Sequence, residues 1–374
     1  MTESTTYPAY DDAGDDDTGD DDPADDDTGS DYGSAEFTLP SDIDGEFESL
    51  APGSRGSAAI ASLRARAALL RQVRRFFDDG GFTEVQPPCL SSDQIVDAHI
   101  DPIEVAGRAL LLPHDQAAER YYLQSSPELQ MKRMLAAGSG PIYSLGPAFR
   151  AGERSPRHNI EFTMLEWYDI DVGVDRVIDQ TIALVTGVLP NVTPLVVTYR
   201  QLFRDHLGFD PIDEPLDSLI AAVAGVDAEL ATGLRDRRDE LLDVLLTEVI
   251  EPRIGDQSVL IRNYPLSQAA LAQPSSDDPQ TADRFEWIIR GLELANGYGE
   301  LLDADELIRR GQRNNDKRRH SGRRPLPVES RLLAAMRHGL PPCAGVALGF
   351  DRLLMLSLGS DDIAAVLPFP IEQA

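Results

Sequence analysis

Two strand-like runs around a short glycine-bearing loop, residues 149–168, constrain the fold of this chain more than any other segment. Arg150 lies at the entrance to the loop, and Gly152 lies within it. The run from Glu161 to Tyr168 alternates between polar and apolar residues over most of its length. Such alternation is typical of a half-buried strand. The segment therefore predicts an antiparallel hairpin.

The side chains of this hairpin indicate a nucleotide site. Arginine presents a planar, permanently charged fork that matches a phosphate. We expect Arg150 to bind an α-phosphate together with the carboxylate that attacks it, and Phe162 to lie flat on a purine. The alternative is an ordinary amphipathic hairpin with solvated charges.

The remaining strand patterns come in hairpins with helices inserted between them, rather than in a regular βαβ alternation. We therefore predict an α+β fold, an antiparallel sheet flanked by helices. The predicted strands are residues 82–86, 110–112, 121–124, 142–145, 195–197, 259–263, 284–294 and 344–348. The predicted helices are residues 57–80, 126–137, 303–320, 329–338 and 351–359, and residues 172–250 are expected to be mainly helical.

The charge of the chain is unevenly distributed along its 374 residues, whose formal net charge is −30. Residues 1–54 contain eighteen Asp and Glu and no Lys or Arg. A segment this acidic and this poor in apolar residues cannot bury enough apolar surface to compensate for the conformational entropy lost on folding. We therefore predict an acidic disordered tail over residues 1–56 and one globular domain over residues 57–374.

Targeting signals are not visible in the sequence. The N-terminal segment has neither the basic start nor the apolar run of a signal peptide, and no apolar run approaches the ~20 residues of a membrane span. The two cysteines, Cys89 and Cys343, are too few for a disulfide framework or a thiolate metal site. We expect a cytoplasmic protein without a membrane partner.

A second chemical segment contains Glu286, Glu293 and Glu300, spaced seven residues apart. Odd spacing within a strand places side chains on opposite faces, so a glycine break or a bulge is needed to bring the three together. Acidic residues beside a triphosphate require Mg²⁺ between them, because bare carboxylates would repel it. The alternative is a row of solvent-exposed strand charges.

A third segment runs from Gly345 to Leu353, where an apolar strand turns at Gly349 into a helix that carries Arg352. Free N–H groups, the helix dipole and the arginine together form a site for the far phosphates. Alone, this segment would fit a plain strand-to-helix turn. Its position after the other two favours the phosphate site.

The three segments resemble the three signature motifs of class II aminoacyl-tRNA synthetases. Further motifs resemble the lysyl-tRNA synthetase branch, and within it the stand-alone paralogues that ligate (R)-β-lysine to elongation factor P. The resemblance extends from about residue 57 to the C-terminus. It rests on Val85-Gln86-Pro87-Pro88, Ser126-Pro127-Glu128, Met131-Lys132-Arg133, residues 158–166, Glu293-Leu294-Ala295-Asn296-Gly297 and Gly349–Arg352.

The resemblance implies roles for individual residues. Arg150 and Arg352 would be catalytic, and Mg²⁺ would be bound by Glu286 and Glu293. ATP would be bound by Arg150, Glu153, His158, Asn159, Phe162, Glu293, Leu294, Gly349 and Arg352. The amino-acid substrate would be bound by Ser126, Pro127, Glu128, Glu166, Tyr168, Asn296, Glu300 and Ala347. Within that set, Glu128 would take one substrate ammonium and Tyr168 with Glu300 the other.

Two positions depart from the family pattern. The second motif commonly reads Arg-Asn-Glu, whereas this chain has Arg150-Ala151-Gly152 with the acid displaced to Glu153. We expect Glu153 to take over the role toward ATP. Ile160 replaces the usual proline and should alter the entry to the strand rather than the chemistry.

The resemblance favours a ligase with a protein acceptor over a tRNA synthetase. Lysyl-tRNA synthetases resemble this domain preceded by an oligonucleotide-binding barrel, whereas here an acidic tail that would repel tRNA precedes it. Ala347 stands where those synthetases have glycine and the ligases typically have alanine. The alternatives are an α-lysine enzyme for tRNA and an inactive regulatory subunit.

Two further expectations concern partners. The first motif implies a homodimer. The basic residues of segment 309–324 form either a surface for an acidic, tRNA-shaped partner or a solvated helix face.

Overall fold

An eight-stranded mixed sheet forms the centre of the computed structural model, which describes residues 60–113 and 118–374. The strands are β1 (Thr83–Glu84), β2 (Leu90–Ser91), β3 (Ile103–Ala106), β4 (Arg120–Leu123), β5 (Ile142–Phe149), β6 (Glu161–Ile170), β7 (Leu195–Thr198), β8 (Ser258–Pro265), β9 (Thr281–Ile289), β10 (Leu292–Gly299) and β11 (Cys343–Gly349). The strand order in the large sheet is β1-β5-β6-β11-β10-β9-β8-β7, and β2-β4-β3 form a small antiparallel sheet. Only the two edge pairs of the large sheet, β1 with β5 and β7 with β8, are parallel among the described strands. The six central strands are antiparallel, as the sequence predicted.

Helices pack around this sheet. They are α1 (Ile60–Asp79), α2 (Glu128–Ala136), α3 (Val174–Val188), α4 (Tyr199–Leu207), α5 (Leu216–Ala224), α6 (Ala228–Gly233), α7 (Arg238–Leu245), α8 (Glu251–Ile254), α9 (Ala304–His320), α10 (Arg331–Gly339) and α11 (Phe350–Leu358). A π-helical turn, Leu246–Ile250, joins α7 to α8. Among the helices within residues 60–113 and 118–374, none is long and apolar enough to cross a bilayer.

The main core lies between α1, α3, α11 and one face of the sheet. Helix α1 buries a stripe at helical spacing that includes Leu69, Val73 and Phe77. The Phe77 ring stacks on Tyr143 of β5 with 4.5 Å between ring centroids. It also contacts Trp167 of β6 at 5.3 Å. Burial of such large side chains fixes this face of the sheet against the helices and leaves the opposite face for the cleft.

One predicted strand is wrong. Leu110 is the last residue of a 3₁₀ turn, Gly107–Leu110, and residues 111–112 follow that turn. Leu111 has a φ of 53° and is 91% exposed. The leucine run matched the apolar content of a strand. However, β4 already pairs with β2 and β3 on its two sides, so it has no free edge for residues 110–112.

The predicted strand over residues 284–294 is two strands. A tight turn at Arg290 and Gly291, with φ values of 53° and 66°, separates β9 from β10. Two residues with positive φ are the signature of a two-residue hairpin turn. The predicted acidic tail, residues 1–56, lies outside the described residues, so its disorder stays a prediction.

Candidate active site

A cavity of about 670 Å³ opens on the face of the sheet opposite the main core. Its floor is a row of directly opposed residues on neighbouring strands. Glu166 of β6 lies opposite Ala347 of β11, Ala347 opposite Asn296 of β10, and Asn296 opposite Glu286 of β9. Opposed residues on paired strands share one face. Strand register therefore places two carboxylates and an amide along the floor.

A β-bulge brings the acidic residues of β10 onto this floor. The register shifts between Glu293 and Ala295, so one extra residue is inserted at Leu294. Glu293 and Glu300 are seven residues apart, but the extra residue does not count toward the alternation of faces. The step is therefore an even number of strand positions, which places both side chains on the same face. The predicted need for a bulge is confirmed, and it explains how these two carboxylates and Glu286 all line the same cavity.

The end of the cavity at which we expect the nucleotide is built from the β5–β6 hairpin and the start of α11. The Arg150 guanidinium lies over the Phe162 ring, 5.2 Å from its centroid. Arg352 Nη1 donates to the backbone oxygen of Glu293 at 2.6 Å, and its Nη2 lies 2.7 Å from His158 Nε2. Burial and Arg352 lower the pKa of His158, so the imidazole is neutral at pH 7. Two arginines beside an aromatic ring suit a phosphate chain and a base.

The other residues expected at ATP have different surroundings. Glu153 Oε1 lies 3.6 Å from Arg150 Nη1, so the displaced acid is beside the arginine that is expected to bind phosphate. Asn159 is buried and already engaged: its amide donates to Glu161 O at 2.6 Å and accepts from Ile371 N at 3.2 Å. The Leu294 side chain packs in the core, so only its backbone is available to a ligand.

Gly349 stands at the N-cap of α11. A Cβ placed there would lie 3.1 Å from Cδ of Arg352. The absence of a side chain at this position therefore leaves room for the Arg352 stem to reach the phosphate end of the cavity.

The opposite end of the cavity is a buried cluster of three carboxylates, Glu128, Glu166 and Glu300. Lys132 Nζ lies 2.6 Å from Glu128 Oε1 and 2.5 Å from Glu300 Oε2. Burial alone would lower the pKa of Lys132, but the two carboxylates outweigh it and raise that pKa. The lysine is therefore a resident ammonium ion among carboxylates expected to receive substrate.

Glu166 is oriented by two hydroxyl groups. Its oxygens accept from Tyr168 Oη and Ser126 Oγ, each at 2.7 Å. Burial, followed by the nearby Glu128, raises the pKa of Glu166 to about 7. Burial likewise raises the pKa of Glu300 to about 8, against the opposing effect of Lys132. The pocket thus favours protonated carboxyl groups until a further cation arrives.

The carboxylates predicted to bind Mg²⁺, Glu286 and Glu293, line the cavity between its two ends. Glu293 is accessible to solvent in the cleft, although surrounding protein atoms and then Glu286 raise its pKa. Glu286 accepts hydrogen bonds from Tyr264, Asn296 and Arg284. In the described part of the chain, no group of three or more His, Cys, Asp or Glu side chains forms a metal site. Two carboxylates still fit Mg²⁺, which takes its other ligands from water and phosphate oxygens.

The structure brings the sequence-predicted residues together. Among the described residues to which the family resemblance assigned a binding or catalytic role, Pro127 alone does not line the cavity. It is the N-cap of α2, and the Ser126 hydroxyl accepts from Glu128 N at 3.0 Å, so the Ser-Pro pair sets where that helix begins.

Several supporting residues were missed. Asp351 is buried and accepts from Thr163 N at 2.6 Å and from Arg66 Nη1 at 2.5 Å, which links α11 to β6 and α1. Gly345 lies opposite Tyr168, and a Cβ there would come within 2.3 Å of the Tyr168 ring. The signals were present in the sequence: Asp351 immediately precedes Arg352, which is expected to bind phosphate, and Gly345 is a glycine inside an apolar strand.

The basic segment 309–324 has some side chains that hold the fold together and others that are exposed. Arg318 donates to the backbone oxygens of Asp97, Ile100 and Arg324 and to the Asp101 carboxylate. Arg323 donates to two more carbonyls of the same loop. The other six basic side chains also have intramolecular partners, namely Arg309, Arg310, Arg313, Lys317, Arg319 and Arg324. Arg318 and Arg323 thereby clamp loop 96–101, which forms one wall of the cavity. Four others, Arg309, Arg313, Arg319 and Arg324, are more than half exposed, which agrees with a solvated face. A surface for an acidic partner stays a prediction.

Comparison with known proteins adds an independent line of information. The family model of class II tRNA synthetases (D, K and N) matches residues 53–373. A protein of Salmonella gallinarum named elongation factor P–(R)-β-lysine ligase is 42% identical over 319 residues, which is 85% of this chain and 97% of that protein. Proteins of the same name from Yersinia enterocolitica and Sodalis glossinidius are 40% and 41% identical over the same shares.

Proposed function

Since the chain belongs to the class II tRNA synthetase family, we propose that it is an ATP-dependent ligase that activates (R)-β-lysine and transfers it to a lysine side chain of elongation factor P. Residues 57–374 are the proposed catalytic domain. The relatives that carry this name are similar to the chain over 85% of its length. Their similarity supports both the donor and the acceptor in this proposal.

The charge of the amino-acid pocket is the single observation that carries the choice of substrate. Glu128, Glu166 and Glu300, when ionised, hold three negative charges against the one positive charge of Lys132. Two negative charges remain, and the two ammonium groups of a diamino acid would neutralise them. A monoamino acid would supply only one ammonium group. One of these carboxyl groups would then be either an unpaired buried charge or protonated, and in neither state would it form a salt bridge with the ligand.

Asn296 supports the same conclusion. Its Nδ2 donates to Glu286 at 3.0 Å, whereas its Oδ1 is buried without a hydrogen-bond partner among the described residues. Asn296 lies in the floor row between Ala347 and Glu286. An acceptor left open at this position suits an ammonium donor from the ligand.

The activation step needs positioning and charge neutralisation. A carboxylate oxygen of the amino acid attacks the α-phosphorus of ATP, the bond to the β-phosphate oxygen breaks, and pyrophosphate leaves. Arg150 would hold the α-phosphate beside the attacking carboxylate, and Arg352 would bind the far phosphates. Glu286 and Glu293 would hold Mg²⁺, which supplies charge neutralisation for the phosphate oxygens when bound.

The transfer step completes the reaction. The acceptor lysine ε-amine, in its neutral form, attacks the carbonyl carbon of the adenylate, the bond to the phosphate oxygen breaks, and AMP leaves. The displaced ammonium proton is released, so an amide forms without a covalent bond to the enzyme. The proposed compartment is the cytoplasm, where a translation factor acts, and the proposed assembly is a homodimer.

The test is amino-acid-dependent ATP–pyrophosphate exchange, followed by mass measurement of elongation factor P after incubation with enzyme, ATP and β-lysine. We expect exchange with (R)-β-lysine to exceed exchange with α-lysine and monoamino acids, and one β-lysyl group to be added to the factor. Exchange with α-lysine alone, accompanied by charging of tRNA, would refute the proposal in favour of a tRNA synthetase. Lack of exchange with every amino acid would indicate an inactive subunit.

A further inference from the structure

The ammonium of Lys132 contributes to the charge balance of the amino-acid pocket, and its position indicates a further role. Lys132 lies on α2, one helical turn after Glu128, and its side chain is only 3% exposed. Among the described residues, those that line the cavity include Glu128 and Glu300 but not Lys132. The ammonium therefore lies behind the two carboxylates as seen from the ligand.

Lys132 contacts one oxygen of each of the two carboxylates. Glu128 uses Oε1 and Glu300 uses Oε2 for the lysine, at 2.6 and 2.5 Å. The second oxygen of Glu300, Oε1, points toward Gly345, since it would lie 2.8 Å from a Cβ at that glycine. Gly345 itself lines the cavity. One oxygen of Glu300 thus binds Lys132, while the other is directed toward the ligand side.

We propose that Lys132 is a positioning and specificity-determining residue: its ammonium fixes Glu128 and Glu300 from behind and sets how many cations the pocket accepts. The inference rests on the proposed function, because it concerns recognition of the diamino acid at the same site. Without the lysine, two buried carboxylates would share one small space with no cation, and like charges so placed do not both ionise.

The groups around this pair determine what a pH experiment reports. Apart from the two carboxylates, the titratable groups that interact with Lys132 or Glu300 come from β6, β10 and β11. They are Glu166, Tyr168, Tyr298 and Cys343. The phenol and thiol pKa values in this set are all raised by burial, so these three groups stay neutral at pH 7. Carboxyl groups therefore dominate the titration of the pocket below about pH 9.

The test compares the full-length enzyme with Lys132→Met, which keeps the length and apolar stem of the side chain and removes its charge. The readout is the KM for (R)-β-lysine in ATP–pyrophosphate exchange, measured as a function of pH. We expect Lys132→Met to raise this KM at least about tenfold near neutral pH, with a smaller change in kcat. The KM should recover as pH rises, because the unpaired carboxylates ionise at higher pH, and the KM for ATP should stay within about threefold.

Arg200→Met is the matched control, because the Arg200 side chain is also largely buried and is ion-paired with Asp210 and Asp278, and none of these three residues lines the cavity. It should lower stability without moving the pH dependence of the KM for β-lysine. Lys132→Arg keeps the charge, so its pH dependence should match that of the unaltered enzyme even if its KM is higher. This variant also tests the inference if Lys132→Met does not fold.

Two results would overturn the role of Lys132. One is a pH dependence that is unchanged in Lys132→Met, and the other is the same pH shift in Lys132→Arg. Failure of the proposed function would look different, because the unaltered enzyme itself would then show no exchange with any diamino acid.

Discussion

Gly345→Ala should impair amino-acid binding while leaving the nucleotide end of the cavity intact. The backbone of Gly345 lies opposite Tyr168 on β6, so the new methyl group would point at the phenol ring. An added Cβ would lie 2.3 and 2.4 Å from two ring carbons of Tyr168 and 2.8 Å from Glu300 Oε1. All three separations are below the contact distance of non-bonded heavy atoms.

The Tyr168 ring has little freedom to move away. It is 3% exposed, and its hydroxyl donates to Glu166 Oε1 at 2.7 Å, so displacing the ring also displaces a pocket carboxylate. Inserting a methyl group into a well-packed site costs about 1–3 kcal/mol. If the whole penalty falls on ligand binding, the KM for (R)-β-lysine rises about 5- to 150-fold.

The assay is ATP–pyrophosphate exchange with β-lysine and ATP each varied, alongside thermal unfolding of the ligand-free protein. Gly146→Ala is the matched control, because Gly146 is also in the large sheet and a Cβ there meets nothing within 4 Å. We expect the control to bind β-lysine normally. An unchanged KM in Gly345→Ala, or an equal rise in both variants, would contradict the steric reasoning.

Three further outcomes are expected. Arg150→Ala should lower kcat for ATP–pyrophosphate exchange by about 100- to 1000-fold. The control is Arg154→Ala on the same loop, which should have little effect because the partner of Arg154 is Glu372. Equal losses of kcat in the two variants would contradict a specific phosphate role for Arg150. The melting temperature of the ligand-free protein should fall as pH rises from about 5 to about 8. Burial raises the pKa values of Glu166 and Glu300 from 4.5 to about 7 and about 8 in the folded state, so over this range the folded protein holds protons that the unfolded chain has lost. Glu300→Gln should reduce that fall, and a melting temperature that rises over this range would contradict the assigned shifts. Arg318→Met should destabilise the fold by about 1–3 kcal/mol in urea unfolding, because three backbone acceptors lose their donor. It should also expose loop 96–101 to proteases, and unchanged protease resistance would show that the arginine does not hold this wall.

The architecture was largely predictable because local patterns and tertiary pairing agree in the central strands. The alternating run of β6 and the apolar run of β11 pair in the structure, and the predicted helix that follows Gly349 is α11. The exception at residues 110–112 shows the limit of such reasoning. Apolar content alone does not make a strand when no neighbouring edge is free to pair with it.

The residues of the site were predictable where they carry recognisable chemistry. Arg150, Arg352 and the three glutamates of the amino-acid pocket are all at the cavity. The ion pairs of Lys132 could not be foreseen in the same way, because one of its partners, Glu300, is far away in sequence and meets it only through the packing of α2 against the sheet. The pairing of Arg318 on α9, and of Arg323 just after that helix, with carbonyls of loop 96–101 was hidden for the same reason.

The floor row of the cavity also has a consequence for how the chain folds. In β6 and β9, each floor carboxylate is followed directly by a fully buried tryptophan, Glu166 by Trp167 and Glu286 by Trp287. Slippage of either strand by one residue would turn its carboxylate into the apolar core and its indole into the cleft. The carboxylates proposed to bind substrate and Mg²⁺ therefore also penalise misaligned sheets during folding. Replacing Glu166 or Glu286 with an apolar residue would remove that safeguard as well as a ligand, and would allow misregistered conformers to accumulate.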